Sequence, residues 1–240
     1  MLSVKLIVCD MAGTSVRDDR EVEMVFLNAI KNTGLHADEK EVNAMMGWSK
    51  IKVFQTLWAK ALGERHPAFA EKVNESYQVF TELLEHHYRT ADLAPTVGAL
   101  ELFAFCKQNG IKVALTTGFY RKVTDIILER LGWMQGLNAD YLAESADAII
   151  DCSVSSSDVA EGRPAPDMIF LAMKKLNITQ ASEVINIGDT PSDLLSGKSA
   201  GVKLALGVAN GTHTYEELNA LPNDGILPTV GHLIELLKQQ

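Results

Sequence analysis

Asp10 follows an apolar run, Val-Lys-Leu-Ile-Val-Cys, and precedes Met-Ala-Gly-Thr14. This places a carboxylate just beyond a buried strand, with Gly13 for a backbone that must leave sharply. In open parallel sheets, ligands gather at such carboxyl ends. Leu115-Thr-Thr-Gly-Phe119 ends a second apolar run with two hydroxyls and a glycine, donors suited to an anionic oxygen. Gly162-Arg-Pro-Ala-Pro-Asp167 fixes a cation in a proline-stiffened loop, a device for meeting anionic oxygens in one geometry. Ile187-Gly-Asp-Thr-Pro-Ser-Asp193 places two carboxylates four apart, hard oxygen ligands for magnesium. Singly, these segments read equally well as a turn cap, a strand-to-helix turn, a surface arginine and a helix cap. Taken in this order, each at a strand end or in a loop beside one, they point to one site.

The elements that must position them follow from hydrophobic patterning. Short apolar runs at Val4 to Cys9, Ile111 to Leu115, Ala148 to Ile150, Val184 to Ile187 and Val202 to Val208 read as strands. Helical stretches between them include Thr96 to Asn109, closed by Gly110, and Thr190 to Ala200, closed by Gly201. Alternating strands and helices imply an α/β fold, a doubly wound parallel sheet with a Rossmann-like core. One interval breaks the rhythm: about 95 residues separate the first two strands, against roughly 30 for a whole βαβ unit. Its content is helical, at Arg20 to Thr33, Glu39 to Met46, Lys50 to Leu62 and Pro67 to about Tyr88. The expected organisation is an α/β catalytic core from residues 1–16 and 95–240, with residues 17–94 inserted as a helical cap.

With these segments in this order, the chain resembles the haloacid dehalogenase superfamily, whose four motifs match Asp10 to Thr14, Thr116 to Gly118, Arg163 with its prolines, and Gly188 to Asp193. The resemblance spans nearly the whole chain. It implies Asp10 as nucleophile, Thr117 as the phosphate-orienting hydroxyl and Arg163 as the cation of the third motif. It also implies Mg2+ held by Asp10, the Ala12 carbonyl, Asp189 and Asp193, with Met11, Ala12, Thr116 and Gly118 on the substrate side. The chemistry is coherent, because a carboxylate attacking a phosphorus dianion needs a metal and a cation to offset repulsion. An aspartyl phosphate would form at Asp10 and be hydrolysed.

Phosphatases of this superfamily carry a second aspartate where this chain has Ala12. Protonating an alkoxide leaving group contributes about a hundred- to ten-thousand-fold, so a phosphomonoesterase would lose much here. The first motif is similar to that of the phosphonoacetaldehyde hydrolases, Asp-x-Ala-Gly-Thr, as is Gly-Arg-Pro at Arg163. Met46-Gly-Trp-Ser-Lys50 fits their Met-Gly-x-x-Lys pattern, in which the lysine forms an imine that accepts the electrons of a broken carbon–phosphorus bond. Such a lysine must be neutral, through burial or neighbouring cations, for which Lys52 and Arg163 are candidates. Two positions depart: Val53 replaces their histidine and Phe119 their tyrosine. Lys50 therefore keeps two roles open, an imine-forming amine or a charged contact to the far end of a substrate. Trp48 reads either as a pocket wall or as core packing. The six histidines read as surface residues, and Cys9 as core, pointing away from Asp10.

Composition bounds the remaining classes. A 47% hydrophobic content supports a large core, and a net charge of −9 disfavours nucleic acid and anionic membranes as partners. The expected partner is a small phosphonate or phosphate substrate, with monomer and homodimer both open. Cys9, Cys106 and Cys152 are odd in number and set in apolar runs, as in a reducing compartment. Without a basic leader or an apolar stretch of about 18 residues, a cytoplasmic protein is expected. A phosphoacceptor signalling domain fits poorly with so large an insertion. A nonenzymatic metabolite binder stays open because Ala12 removes an acid. A nicotinamide oxidoreductase would need Gly-x-Gly-x-x-Gly after the first strand, and a dehalogenase would have little use for Asp189 and Asp193.

Overall fold

The apolar run after Val4 becomes β1 (Leu6–Asp10), every residue of which is buried. It pairs in parallel with β2 (Lys112–Thr117) on one side and β4 (Val184–Gly188) on the other. A computed structural model describes residues 4–239. The sheet is completed by β3 (Cys152–Ser155), β5 (Leu204–Val208) and β6 (Ile226–Leu227), in the order β3-β2-β1-β4-β5-β6 with every pairing parallel. The chain thus crosses to one side of β1 for β2 and β3 and to the other for β4 to β6. This switch point is where an open α/β sheet leaves a crevice at its carboxyl edge.

Helices cover the sheet: α5 (Ala99–Gln108), α6 (Arg121–Arg130), α7 (Asp167–Lys175), α8 (Pro191–Ala200), α9 (Tyr215–Asn219) and α10 (Leu233–Lys238). One strand lies elsewhere than the sequence indicates. Ala148 to Ile150 is irregular, with a bend at Ile149, and the strand is Cys152–Ser155, where alternate serines, Ser153 and Ser155, are fully buried. Hydrophobicity finds the apolar approach to this strand, whereas its ladder runs through residues whose hydroxyls are hydrogen-bonded.

The long interval holds α1 (Glu21–Asn32), α2 (Glu39–Ala44), α3 (Lys50–Leu62) and α4 (Phe69–Thr90). Phe26, Phe54 and Phe80 join α1, α3 and α4 through ring centroids 4.2 to 5.6 Å apart. Such ring pairs add about 0.5–1.5 kcal/mol each beyond their burial. The two connections to the sheet run side by side: Arg17 N donates to Ala94 O at 2.9 Å and Thr96 N to Ser15 O at 3.0 Å. No helix among the described residues is long and apolar enough to cross a membrane.

Candidate active site

Asp10 is the last residue of β1, paired in register with Thr116 of β2. Parallel pairing therefore brings the ends of β1, β2 and β4 to one edge, and three carboxylates meet there. Oxygens of Asp10, Asp189 and Asp193 all lie within 4.8 Å of one another, and all three residues are buried. Arg163 reaches them from the loop before α7 and is only 4% exposed. Its Nη1 donates to Asp10 Oδ1 and lies 2.8 Å from Asp193 Oδ1, while Nη2 donates to Thr116 Oγ1 at 2.6 Å. Burial pushes the Asp10 carboxyl up to about 8; Arg163 pulls the other way, and Asp193 and Asp189 push it further up. Asp189 is raised by burial and by Asp193.

Other contacts fix these carboxylates. Asp189 Oδ1 accepts from Thr14 Oγ1 at 3.0 Å, and Oδ2 from Thr212 N at 2.7 Å. Asp193 Oδ2 accepts from Thr190 N and Oγ1, closing the capping box that starts α8. The remaining oxygen, Asp193 Oδ1, is buried without a hydrogen-bond donor in bonding geometry. Gly13, at φ +87°, packs against Asp189 so closely that any side chain there would collide with the carboxylate. Three carboxylates against one guanidinium leave a net charge of −2 if all are ionised. Hard oxygens, a buried Asp193 oxygen that pairs with Arg163 but accepts no hydrogen bond, and this excess charge fit a divalent cation such as magnesium.

Above the carboxylates lies a small cavity of about 30 Å³ shared by Asp10, Ala12, Lys50, Thr117, Gly118 and Phe119. Asp18, Val22, Met46, Gly47, Thr190 and Thr212 complete it. Thr117 Oγ1 accepts from Phe119 N at 3.1 Å, which orders the turn and leaves its hydroxyl proton available. Lys50 opens α3 and is 4% exposed. Its Nζ lies 5.5 Å from the Phe26 ring centroid and 5.2 Å from that of Phe119. It has no hydrogen-bond or ion-pair partner among the described residues. Loss of water lowers its pKa to about 8, with Arg163 adding to the effect and Asp10, Asp18 and Asp189 opposing it. The positive end of the α3 dipole also disfavours an ammonium there.

Several side chains lie elsewhere than expected. Thr116 is bonded to Arg163 and stays outside the cavity wall, since alternation along β2 turns it away from Thr117. The Met11 side chain is in the hydrophobic core, and its carbonyl accepts from Thr14, Ser15 and Val16 N. Trp48 and Lys52 line a neighbouring cavity of about 500 Å³ that also borders Arg163, and of the two expected cations it is Arg163 that stands among the main influences on Lys50. His213 is buried, with Nδ1 unpartnered, where a surface residue is expected. Asp18, Thr14 and Thr212 were not distinguished by sequence; Thr212 acts through its backbone, which residue type does not reveal. Cys9, Cys106 and Cys152 are free and buried.

This fold and this site define a hydrolase: a family model described as haloacid dehalogenase-like hydrolase matches residues 4–201, and the chain belongs to that family. Among curated proteins it is similar to a phosphonoacetaldehyde hydrolase of Bacillus cytotoxicus, 30% identical over 214 residues, covering 84% of this chain and 74% of the relative. Two solved structures share the fold. A hydrolase from Pseudomonas syringae has a TM-score of 0.76 at 19% identity, covering 98% of each chain. A phosphonoacetaldehyde hydrolase-like protein from Oleispira antarctica has a TM-score of 0.73 at 19% identity, covering 98% of this chain and 91% of the other.

Proposed function

We propose that this hydrolase transfers the phosphoryl group of a small phosphonate aldehyde, phosphonoacetaldehyde or a close relative, through Asp10 to water, with Lys50 as an imine-forming amine. The observation that carries the reading is Lys50 itself: a buried amine, unpaired among the described residues, in the same cavity as Asp10. An amine near pKa 8 has about a tenth of its population neutral at pH 7. An iminium at Lys50 accepts the electron pair of the carbon–phosphorus bond as the Asp10 carboxylate takes the phosphoryl group. No acid at Ala12 is then required.

Asp10, Asp189, Asp193 and the Ala12 carbonyl would hold Mg2+. When bound, the ion supplies positive charge against the phosphoryl oxygens while a carboxylate approaches. Arg163 holds Asp10 in place through Nη1, which also pairs with Asp193, and Thr117 and the backbone at Gly118 orient the phosphoryl oxygens. Residues 17–94 act as a cap over the core formed by 1–16 and 95–240, of which 1–3 and 240 lie outside the described residues. The cavity holds only about one or two waters, so the cap must open to admit substrate and close to exclude solvent. Buried free thiols suit a cytoplasmic setting. A phosphate monoester, with Lys50 as a charged contact, is favoured by one observation: Phe119 and Val53 offer the cavity region no proton-carrying group.

The test is phosphate release from phosphonoacetaldehyde with magnesium, in the natural protein and in Asp10→Asn. The variant keeps the shape and loses the nucleophile, so turnover is abolished with the fold intact. Unchanged activity in the variant would remove Asp10 from the mechanism.

A further inference from the structure

We infer that Asp18 is the proton-transfer group at the aldehyde end of the substrate, a role resting on the imine reading of Lys50. The cavity wall holds only three ionisable side chains among the described residues: Asp10, Asp18 and Lys50. Asp10 is bound to Arg163 and faces phosphorus. Ala12, Phe119 and Val53 carry no transferable side-chain proton. Imine formation needs an acid, because hydroxide is a poor leaving group, and Asp18 is the one carboxyl on the cavity wall that is not ion-paired with Arg163, its side chain sharing a hydrogen bond with Glu21.

Its position is fixed by the start of α1. Asp18 Oδ1 accepts from Glu21 N at 2.8 Å and Val22 N at 3.4 Å, so one oxygen takes both backbone bonds. The groups facing the carboxyl are Glu21 from its own turn, Lys50 from α3, Tyr88 from α4 and Asp189 beyond β4. Loss of water, then the adjacent Glu21, raise Asp18 well above the usual carboxylate range, while Glu21 is lowered. Of the two neighbouring carboxyls, Asp18 therefore keeps the proton.

The step balances. The neutral Lys50 amine adds to the aldehyde carbon, a nitrogen–carbon bond forms, and the carbon–oxygen bond breaks. The amine's second proton and the Asp18 proton leave with that oxygen as water, giving an iminium and an Asp18 carboxylate. After the carbon–phosphorus bond breaks, the enamine carbon takes a proton from solvent; water then adds to the resulting iminium, releasing the amine and the product aldehyde, and the Asp18 carboxylate takes up the proton that this addition frees.

The experiment uses the full chain with magnesium, phosphonoacetaldehyde and borohydride, and follows the rate of adduct formation at Lys50 by mass spectrometry. Asp18→Asn keeps an acceptor for Glu21 N and removes the proton. It is expected to slow labelling about a hundredfold and to abolish the decline in rate at alkaline pH. Asp18→Glu restores part of the rate. Labelling of Asp18→Asn at the natural rate, or slow labelling with the same pH profile, would overturn the role. Absence of label in the natural protein would instead overturn the imine reading, and this inference with it.

Discussion

Ser192 Oγ donates to the Met46 carbonyl at 3.1 Å, a bond from the first turn of α8, between Asp189 and Asp193, to the loop that leads into α3 and Lys50. The insertion is thus seated directly on the carboxyl edge of the sheet. Gly118 faces the same loop: a methyl group there would lie 2.5 Å from both the Gly47 and Trp48 carbonyl oxygens.

Gly118→Ala is therefore expected to hold the loop off the core without harming β2. A displacement near 1 Å at a reacting group costs about a hundredfold in rate. Turnover should fall by about that factor, and small-angle scattering should show a larger radius of gyration. Full activity in this variant would mean that the loop need not seat for catalysis.

Arg163→Met removes the guanidinium between Asp10 and Asp193 and leaves buried carboxylates uncompensated. Breaking a buried pair in this way costs about 3–5 kcal/mol. The variant should melt well below the natural protein, and magnesium should recover more stability in the variant than in the natural protein. Equal magnesium effects in thermal melts would separate the metal site from these carboxylates.

Lys50→Met should stabilise the fold while ending turnover. The folded-state pKa is about 8, below the roughly 10.4 of an exposed lysine. Below pH 8 the amine is charged in both states, so the folded state bears the full penalty of burying it. As pH rises from about 8 towards 10.4, the unfolded chain binds more protons than the folded one, and the penalty fades. At pH 7 the variant should gain on the order of 3 kcal/mol, and the difference should shrink towards pH 10. A gain that grows with pH would contradict the sign of the Lys50 shift.

What could be read in advance follows from which contacts are local. Asp10, Asp189 and Asp193 sit at or just past strand ends, and a parallel sheet gathers such ends at one edge, so their convergence was legible. Lys50 was legible through its spacing from Met46 and Gly47, but its desolvation by Phe26 and Phe119 depends on packing between α1, α3 and the β2 turn. The choice between Thr116 and Thr117 turned on strand phase, which two adjacent threonines leave ambiguous. The β3 strand was misplaced because buried serines hide its pattern. Asp18 stands at the start of the inserted segment outside any motif, and only tertiary packing brings it to the cavity wall.

That Lys50 works as a neutral amine beside Asp10 is tested most directly by borohydride reduction with phosphonoacetaldehyde, followed by peptide mapping of the natural protein and Lys50→Arg. Arginine keeps the charge and cannot form the imine. The expected result is one covalent adduct on Lys50, with loss of both adduct and phosphate release in the variant. Phosphate release without an adduct, or turnover largely preserved in Lys50→Arg, would contradict an imine at this site and leave Lys50 as a charged substrate contact.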